Sequence, residues 1–336
     1  MTPSERHCTV AIDAMGGDRA PGEIVAGALL AHAELGVRVL LVGREDAIVP
    51  LLPGGKAPDG VEVVFATEVI GMAEDAASSA RTKKDSSIVQ CAQVVRDGRA
   101  DAMVGAGNTG ATMAAALLRM GRIRGVVRPA IAVPIPVPGG RPQLLVDGGA
   151  TVDCAPDWLV QFARMGREYA RIRFGVDAPT VGLLSNGEEP GKGDDLRKET
   201  FKLLEDVPGF IGNVEGGDLM VQKADVVVTD GFTGNVTLKS IEGAFKAIAG
   251  LVFGVLDSTP EAKEAAKVIT PLLLTAAANL DPDSTGGAVL LGLNGVCVIS
   301  HGSSSARAIV NATRVAAECV GADVVTRTKE ALAHAG

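Results

Sequence analysis

Aromatic residues are scarce in this chain, with one Trp, one Tyr and eight Phe among 336 residues. A core with so few rings must be built from Val, Leu, Ile and Ala, and the 47% apolar content is enough to fill a large one. A basic excess is missing too, since 32 Lys and Arg face 40 Asp and Glu, a formal charge of −8. That excludes the basic footprint of nucleic-acid binding. Any anionic ligand must be drawn by local groups and not by the overall field. There is no C-x-x-C pair, no HExxH and no metal spacing, and no Ser or Cys stands in a G-x-S-x-G elbow. The five cysteines (Cys8, Cys91, Cys154, Cys297, Cys319) are odd in number and lie in apolar context. They read as reduced, buried thiols of a cytoplasmic protein. No run approaches the roughly 18–20 apolar residues that span a bilayer, and MTPSERHCTVAID holds no signal core.

What is present is an alternation of short apolar runs and helical patterns. The pattern predicts strands over 8–14, 37–42, 61–66, 101–104, 130–135, 143–146, 180–184, 224–229 and 295–300. It predicts helices over 22–35, 85–97, 108–119, 156–173 and 194–205, and from about Ser303 onward. Continuous apolar strands suit a mostly parallel sheet covered on both faces. Residues 8–330 read as one two-lobed catalytic α/β unit, with a helical hairpin inserted over 237–280.

Ligands of such sheets bind beyond strand carboxyl ends, so the loops there are the candidate sites. The first holds Asp13, Gly16, Gly17 and Asp18, where paired glycines allow a close backbone approach. The second runs from Ser78 to Ser87 and contains Arg81, Lys83, Lys84, Asp85, Ser86 and Ser87. Cations and hydroxyls before a helix make an anion site. The third, Gly105 to Gly110, matches G-x-G-x-x-G and includes Asn108, Thr109 and Gly110. It would suit a dinucleotide, but the acid about 20 residues further on is missing. It therefore reads as a phosphate-approach loop. Further loops of the same character begin at Asp147, Asn186, Asp230 and His301.

Taken in order, these stretches resemble the phosphate acyltransferase family of bacterial phospholipid synthesis, the PlsX type. They are Ile12–Asp18, Lys83–Ser87, Ala106–Ala111, Gly187–Glu189, Thr229–Val236, Gly286–Ala288 and His301–Ser304. Thr151, Ser185-Asn186, Gly217 and Val289 depart from the family's pattern. The resemblance implies a three-layer αβα sandwich with a mostly parallel sheet, like phosphotransacetylase and isocitrate dehydrogenase. It implies a homodimer that transfers an acyl group from acyl carrier protein to inorganic phosphate, needing neither metal nor organic cofactor.

On that reading Lys84, Ser86 and the amides at Asn108–Gly110 take phosphate, helped by Lys83, Ser87 and Thr109. Asn235, beside Asp230, Gly231, Thr233 and Gly234, is the expected oxyanion donor, and His301 the expected proton donor to the departing thiolate. The rivals are a nicotinamide-dependent dehydrogenase and a non-catalytic acyl or carrier-protein binding module. An acidic carrier needs a basic patch. The candidates are Arg119, Arg122, Arg124 and Arg128, or Arg164, Arg167 and Arg171. The hairpin stripe Ile241, Phe245, Ile248, Val252 and Leu256 is expected to meet a second subunit, and its tip a membrane surface through peripheral contact.

Overall fold

The computed structural model describes residues 8–277 and 286–333. Its strands are β1 (Thr9–Asp13), β2 (Arg38–Gly43), β3 (Val61–Phe65), β4 (Ala102–Gly105), β5 (Ala130–Ile135), β6 (Gln143–Val146), β7 (Val181–Leu184), β8 (Phe210–Val214), β9 (Val226–Val228), β10 (Ala288–Leu291) and β11 (Val296–Ile299). Its helices are α1 (Gly22–Leu35), α2 (Glu45–Ile48), α3 (Ala76–Thr82), α4 (Ser87–Arg96), α5 (Thr109–Arg119), α6 (Pro156–Phe174), α7 (Asp195–Leu204), α8 (Gly231–Leu256), α9 (Pro260–Ala277), α10 (Ala306–Gly321) and α11 (Val324–Ala333).

All eleven strands form one sheet in the order β3-β2-β1-β4-β11-β10-β5-β6-β9-β7-β8. Two parallel blocks flank a seam. β3, β2, β1, β4 and β11 run one way, and β6, β9, β7 and β8 run together. Between them β10 is antiparallel to both β11 and β5, and β5 is antiparallel to β6. The two blocks therefore point in opposite directions, and their carboxyl ends open at opposite edges of the sheet. The loops after all these strands do not converge on one rim, as a uniformly parallel sheet would require.

Alternate residues of each strand enter different cores. Val10, Ile12, Leu144 and Val146 face α1, α6, α7 and α10. Ala11, Met103 and Ile131 face α3, α4 and α5, and Leu145 and Val227 on that same face meet the start of α8 through Leu238 and Ile241. Both faces are thus apolar, which is why the strands read as unbroken runs. Helix ends follow local chemistry. Asn108, Asp194, Asp230 and Ser305 each accept the N–H three residues on, and α6 opens on Pro156 and closes at Gly175 with φ 64°.

Sequence pattern and structure differ in several segments. Ala76–Thr82 is the helix α3 and not a loop, so Arg81 is helical. Strands β8 and β10 were not anticipated. The hairpin is α8 and α9, and α8 begins at Gly231; residues 278–280 of the expected span lie outside the described residues. Beyond Ile241 the hairpin is largely exposed, with Leu251 at 70% and Leu272 at 67%. No helix among the described residues is long and apolar enough to cross a membrane.

Phe162 of α6 is fully buried in the larger core. Phe162→Ala is expected to cost about 3–5 kcal/mol, read as a lowered midpoint of denaturant unfolding. A loss below about 1 kcal/mol would mean that this face is not tightly packed.

Candidate active site

The first constellation stands at the carboxyl ends of β1, β4 and β11. Asp13 is buried, accepts the Met15 N–H at 3.1 Å, and takes a hydrogen bond from the Ser87 hydroxyl. Burial pushes its carboxyl up to about 6, against the pull of those two bonds. A Cβ on Gly16 would stand 2.9 Å from the Gly107 nitrogen, while Gly17, at φ 112°, lies against the carbonyls of Ala106 and Gly302. Asp18 N–H donates to Gly302 O at 2.8 Å. The glycines of three loops therefore permit one another's approach, a role separate from admitting a ligand.

Asn108 is committed in the same way. Its Oδ1 accepts the Ala111 N–H, and its Nδ2 donates to the carbonyls of Met72 and Glu74 at 3.2 and 3.3 Å. Gly110 lies where a Cβ would meet Ala76. Lys83 donates to Val69 O at 2.9 Å and to Glu74 at 2.7 Å, and this bond holds the Glu74 carboxyl down at about 2. Ser86 is buried and donates to Lys83 O. What remains available is narrower than the expected set. Among the described residues the side chains of Asp18, Lys84 and Thr109 are exposed without a side-chain hydrogen bond. His301 is exposed too, with Nδ1 accepting the Ser303 N–H at 3.2 Å and facing its hydroxyl at 2.8 Å. That leaves Nε2 to carry a proton toward solvent.

The second constellation stands at the carboxyl ends of β6, β7 and β9. Asp147 is fully buried and accepts four backbone N–H groups, from Ile131 (2.8 Å), Gly149 (3.0 Å), Ala150 (2.9 Å) and Thr151 (2.7 Å). Burial pushes its carboxyl up and the four amides oppose that. Helix α8 packs directly on this loop: a Cβ on Gly234 would fall 1.9 Å from Asp147 O, and one on Gly231 2.8 Å from its carboxylate. Both glycines are thus required by packing.

Asp230 caps α8 through the Thr233 N–H at 2.9 Å, accepts the Thr233 hydroxyl at 2.8 Å, and pairs with Arg197. Burial alone would raise its carboxyl, but the Thr233 bonds and the guanidinium bring it below the usual value. Arg197 also reaches Asp194 (3.0 Å) and the hydroxyls of Thr229 and Thr233. It lines an open cavity of about 380 Å³ with Ser185, Asn186 and Asp194, and the buried Ser185 hydroxyl has no partner there. Arg197 escaped the sequence reading because it lies within a helix and belongs to no glycine loop. Asn235 is exposed beside Gly149.

The structure thus brings Lys84 and His301 to one edge and Asn235 to the other, and no described contact joins the two constellations. Thiol chemistry has no support. Burial pushes Cys8, Cys154, Cys297 and Cys319 up to about 12, and Cys91 well above its ordinary value. Among the described residues no group of three His, Cys, Asp or Glu is placed to hold a metal ion.

Comparison with known proteins places this geometry. The family model described as "Fatty acid synthesis protein" matches residues 8–327. The phosphate acyltransferase of Desulfitobacterium hafniense (strain DSM 10664 / DCB-2) is 48% identical over 326 residues, 96% of this chain and 97% of that protein. That of Synechococcus sp. (strain JA-3-3Ab) is 47% identical, covering 96% and 89%. A phosphotransacetylase from Streptococcus pyogenes shares the fold at TM-score 0.62 and 16% identity, covering 94% of each chain. With the match running almost end to end, the chain belongs to the fatty acid synthesis protein family, alongside these phosphate acyltransferases.

Proposed function

We propose that this chain is a phosphate acyltransferase that moves a fatty acyl group from acyl carrier protein to inorganic phosphate, releasing the carrier thiol, for phospholipid synthesis. The observation that carries the reading is near-half identity to phosphate acyltransferases across 96% of the chain. The site supports direct transfer. A phosphate oxygen forms a bond to the thioester carbonyl carbon, the C–S bond breaks, and the sulfur leaves with the electron pair and takes a proton. Positioning the two reactants supplies about 7–11 kcal/mol, and one oxyanion donor about 3–4 kcal/mol. Lys84 is the cation for phosphate, His301 Nε2 the proton donor and Asn235 the oxyanion donor.

Because Lys84 and His301 open at one edge and Asn235 at the other, the working unit is a homodimer. The first constellation of one protomer faces the second constellation of its partner. A two-fold axis makes both composite sites at once. The exposed apolar residues of the hairpin (Ile248, Leu251, Val255, Val268 and Leu272) need a cover of this kind. The base of the hairpin packs on the partner, and its tip lies in a membrane interface. Lys263 and Lys267 are paired with Asp257 and Glu264. Lys246 forms no ion pair with a described residue, so of these lysines it alone is left for an anionic headgroup and attachment rests on apolar insertion. The protein works in the cytoplasm with peripheral membrane contact, as one two-lobed unit with the hairpin as its accessory.

Lys84→Ala is expected to raise the KM for phosphate at least about tenfold, one factor of ten being about 1.4 kcal/mol, with little change in carrier binding. An unchanged phosphate KM removes Lys84 from this role. Lys84→Ala and Asn235→Ala chains, each weakly active, should regain about a quarter of parental activity when co-assembled, since half the dimers then hold one intact site. No recovery would place the whole site within one chain. Finally, Leu251→Glu/Phe253→Glu should abolish sedimentation with anionic liposomes while the protein stays dimeric. Equal pelleting, or dissociation into monomers, would show that the tip is no anchor.

A further inference from the structure

The chain is acidic overall, yet its charge is strongly segregated. From Ala102 to Val146 there is no Asp, Glu or Lys, while Arg119, Arg122, Arg124, Arg128 and Arg141 fall in that stretch. Arg141 pairs with Asp225. Arg122, Arg124 and Arg128 lie together on the turn between α5 and β5, all exposed, and none forms an ion pair with a described residue. Arg122 donates to the Val127 carbonyl. The Arg128 guanidinium lies 4.9 Å over the Trp158 ring.

The turn is a rigid platform. Ile123 and Val126 point into the core. Ile123 N–H donates to Gly292 O, Asn294 Nδ2 donates to Arg122 O at 2.8 Å, and the Gln161 side chain accepts the Val127 N–H at 3.0 Å. Alternation thus throws the arginines outward from a backbone tied on both sides. The other basic candidate, Arg164, Arg167 and Arg171, is more engaged with its own surroundings. Arg171 is paired with Glu168, and Arg167 donates to Pro179 O.

Place matters as much as charge. The turn leads into the amino end of β5, which is level with the carboxyl end of β6 because Ala132 pairs with Val146. It therefore shares an edge with the second constellation. The link is short and runs through hydrogen bonds: the carbonyl of Pro129, next to Arg128, accepts the Thr151 hydroxyl at 3.3 Å, and Thr151 O accepts the Gly231 N–H at 2.8 Å. Gly231 opens the helix turn that carries Asn235.

We propose that the Arg122–Arg124–Arg128 ridge is the docking surface for the acidic carrier protein, which delivers its thioester to the Asn235 side of the site. This rests on the carrier-dependent reading above. Three exposed guanidiniums beside the acyl-handling loop, none ion-paired with a described residue, complement a carboxylate-rich helix, steer its approach, and tie its affinity to ionic strength. Arg128 holds its direction through the ring beneath it.

Trp158, the only tryptophan, reports occupation of the ridge directly. Acidic carrier protein titrated into the intact dimer should change its fluorescence, with a Kd that rises as salt is raised. Arg122→Glu/Arg124→Glu, which leaves Arg128 and Trp158 in place, should raise that Kd at least tenfold and flatten the salt dependence. Arg122→Lys/Arg124→Lys should stay near the parent. No binding by the parent, equal binding by the Glu variant, or equal loss in the Lys variant overturns the ridge. Turnover separates the two readings. The kcat/KM for acyl carrier thioester relative to that for acyl-pantetheine, which has no protein surface, should fall at least tenfold in the Glu variant, and an unchanged ratio also overturns it. A parent that binds carrier but transfers acyl from neither donor to phosphate would refute the activity and leave the binding result standing.

Discussion

Between β11 and β6 the sheet holds two antiparallel neighbours, β10 and β5, and strand direction is reversed on the far side. Hydrogen bonding continues without a break, so the core is one body, but the carboxyl ends of the two blocks open on opposite edges. Every loop able to meet a ligand inherits its side from that reversal. The glycine loops after β1, β4 and β11 share one edge, and the loops after β6, β7 and β9 share the other. On the proposed roles of Lys84, His301 and Asn235, each rim of a single chain carries part of the site. The homodimeric reading follows from that constraint more than from any one contact.

Each rim is organised by a buried carboxylate. Asp147 gathers four amides and so fixes the loop from Gly148 to Thr151. An unpaired buried carboxylate would be costly, and the amide ring offsets that cost. The ordered loop then admits α8 only if Gly231 and Gly234 lack side chains, and that approach sets where Asp230 and Asn235 stand. Asp13 does the corresponding work on the other rim with fewer donors. Burial displaces its carboxyl up to about 6, against the bonds from Ser87 and Met15.

Much of the layout was legible in the sequence. Gly22–Leu35, Ala130–Ile135 and Gln143–Val146 stand where their apolar runs and flanking Gly or Pro put them. Strand β8 was missed because FIGNV is a short edge strand with polar and glycine residues. Helix α3 was missed because AASSART carries no apolar period. The mostly parallel character of the sheet was legible, because strands apolar on both faces belong to a covered parallel sheet, but the reversal at β10 and β5 was not, since a buried strand is apolar whichever way it runs. The same limit hid the true duties of several loop residues. A glycine that admits a neighbouring loop and one that admits a phosphate look alike in sequence, and only Gly107 lying against Gly16 tells them apart. Lys83 and Lys84 are adjacent and alike on paper. Glu74, nine residues upstream, engages the first and leaves the second exposed.

Both proposed substrates are anionic and the chain is acidic, so a single cationic funnel would set phosphate and carrier protein competing for the same groups. The fold avoids this by distance. Lys84 stands on one edge, the arginine ridge on the other, and fields in salt fade over about 8 Å. Within one protomer neither anion is drawn to the other's cation. In the proposed dimer, the carrier's thioester and the phosphate arrive from different chains, and their charges meet only at the reacting carbon. A buried thiol nucleophile would add nothing to such a site, and the five cysteines, all pushed away from the thiolate, supply none. On the proposed reading, catalysis is left to the placement of two anions by separate cations, with a proton from His301 and a hydrogen bond from Asn235 as the remaining chemistry.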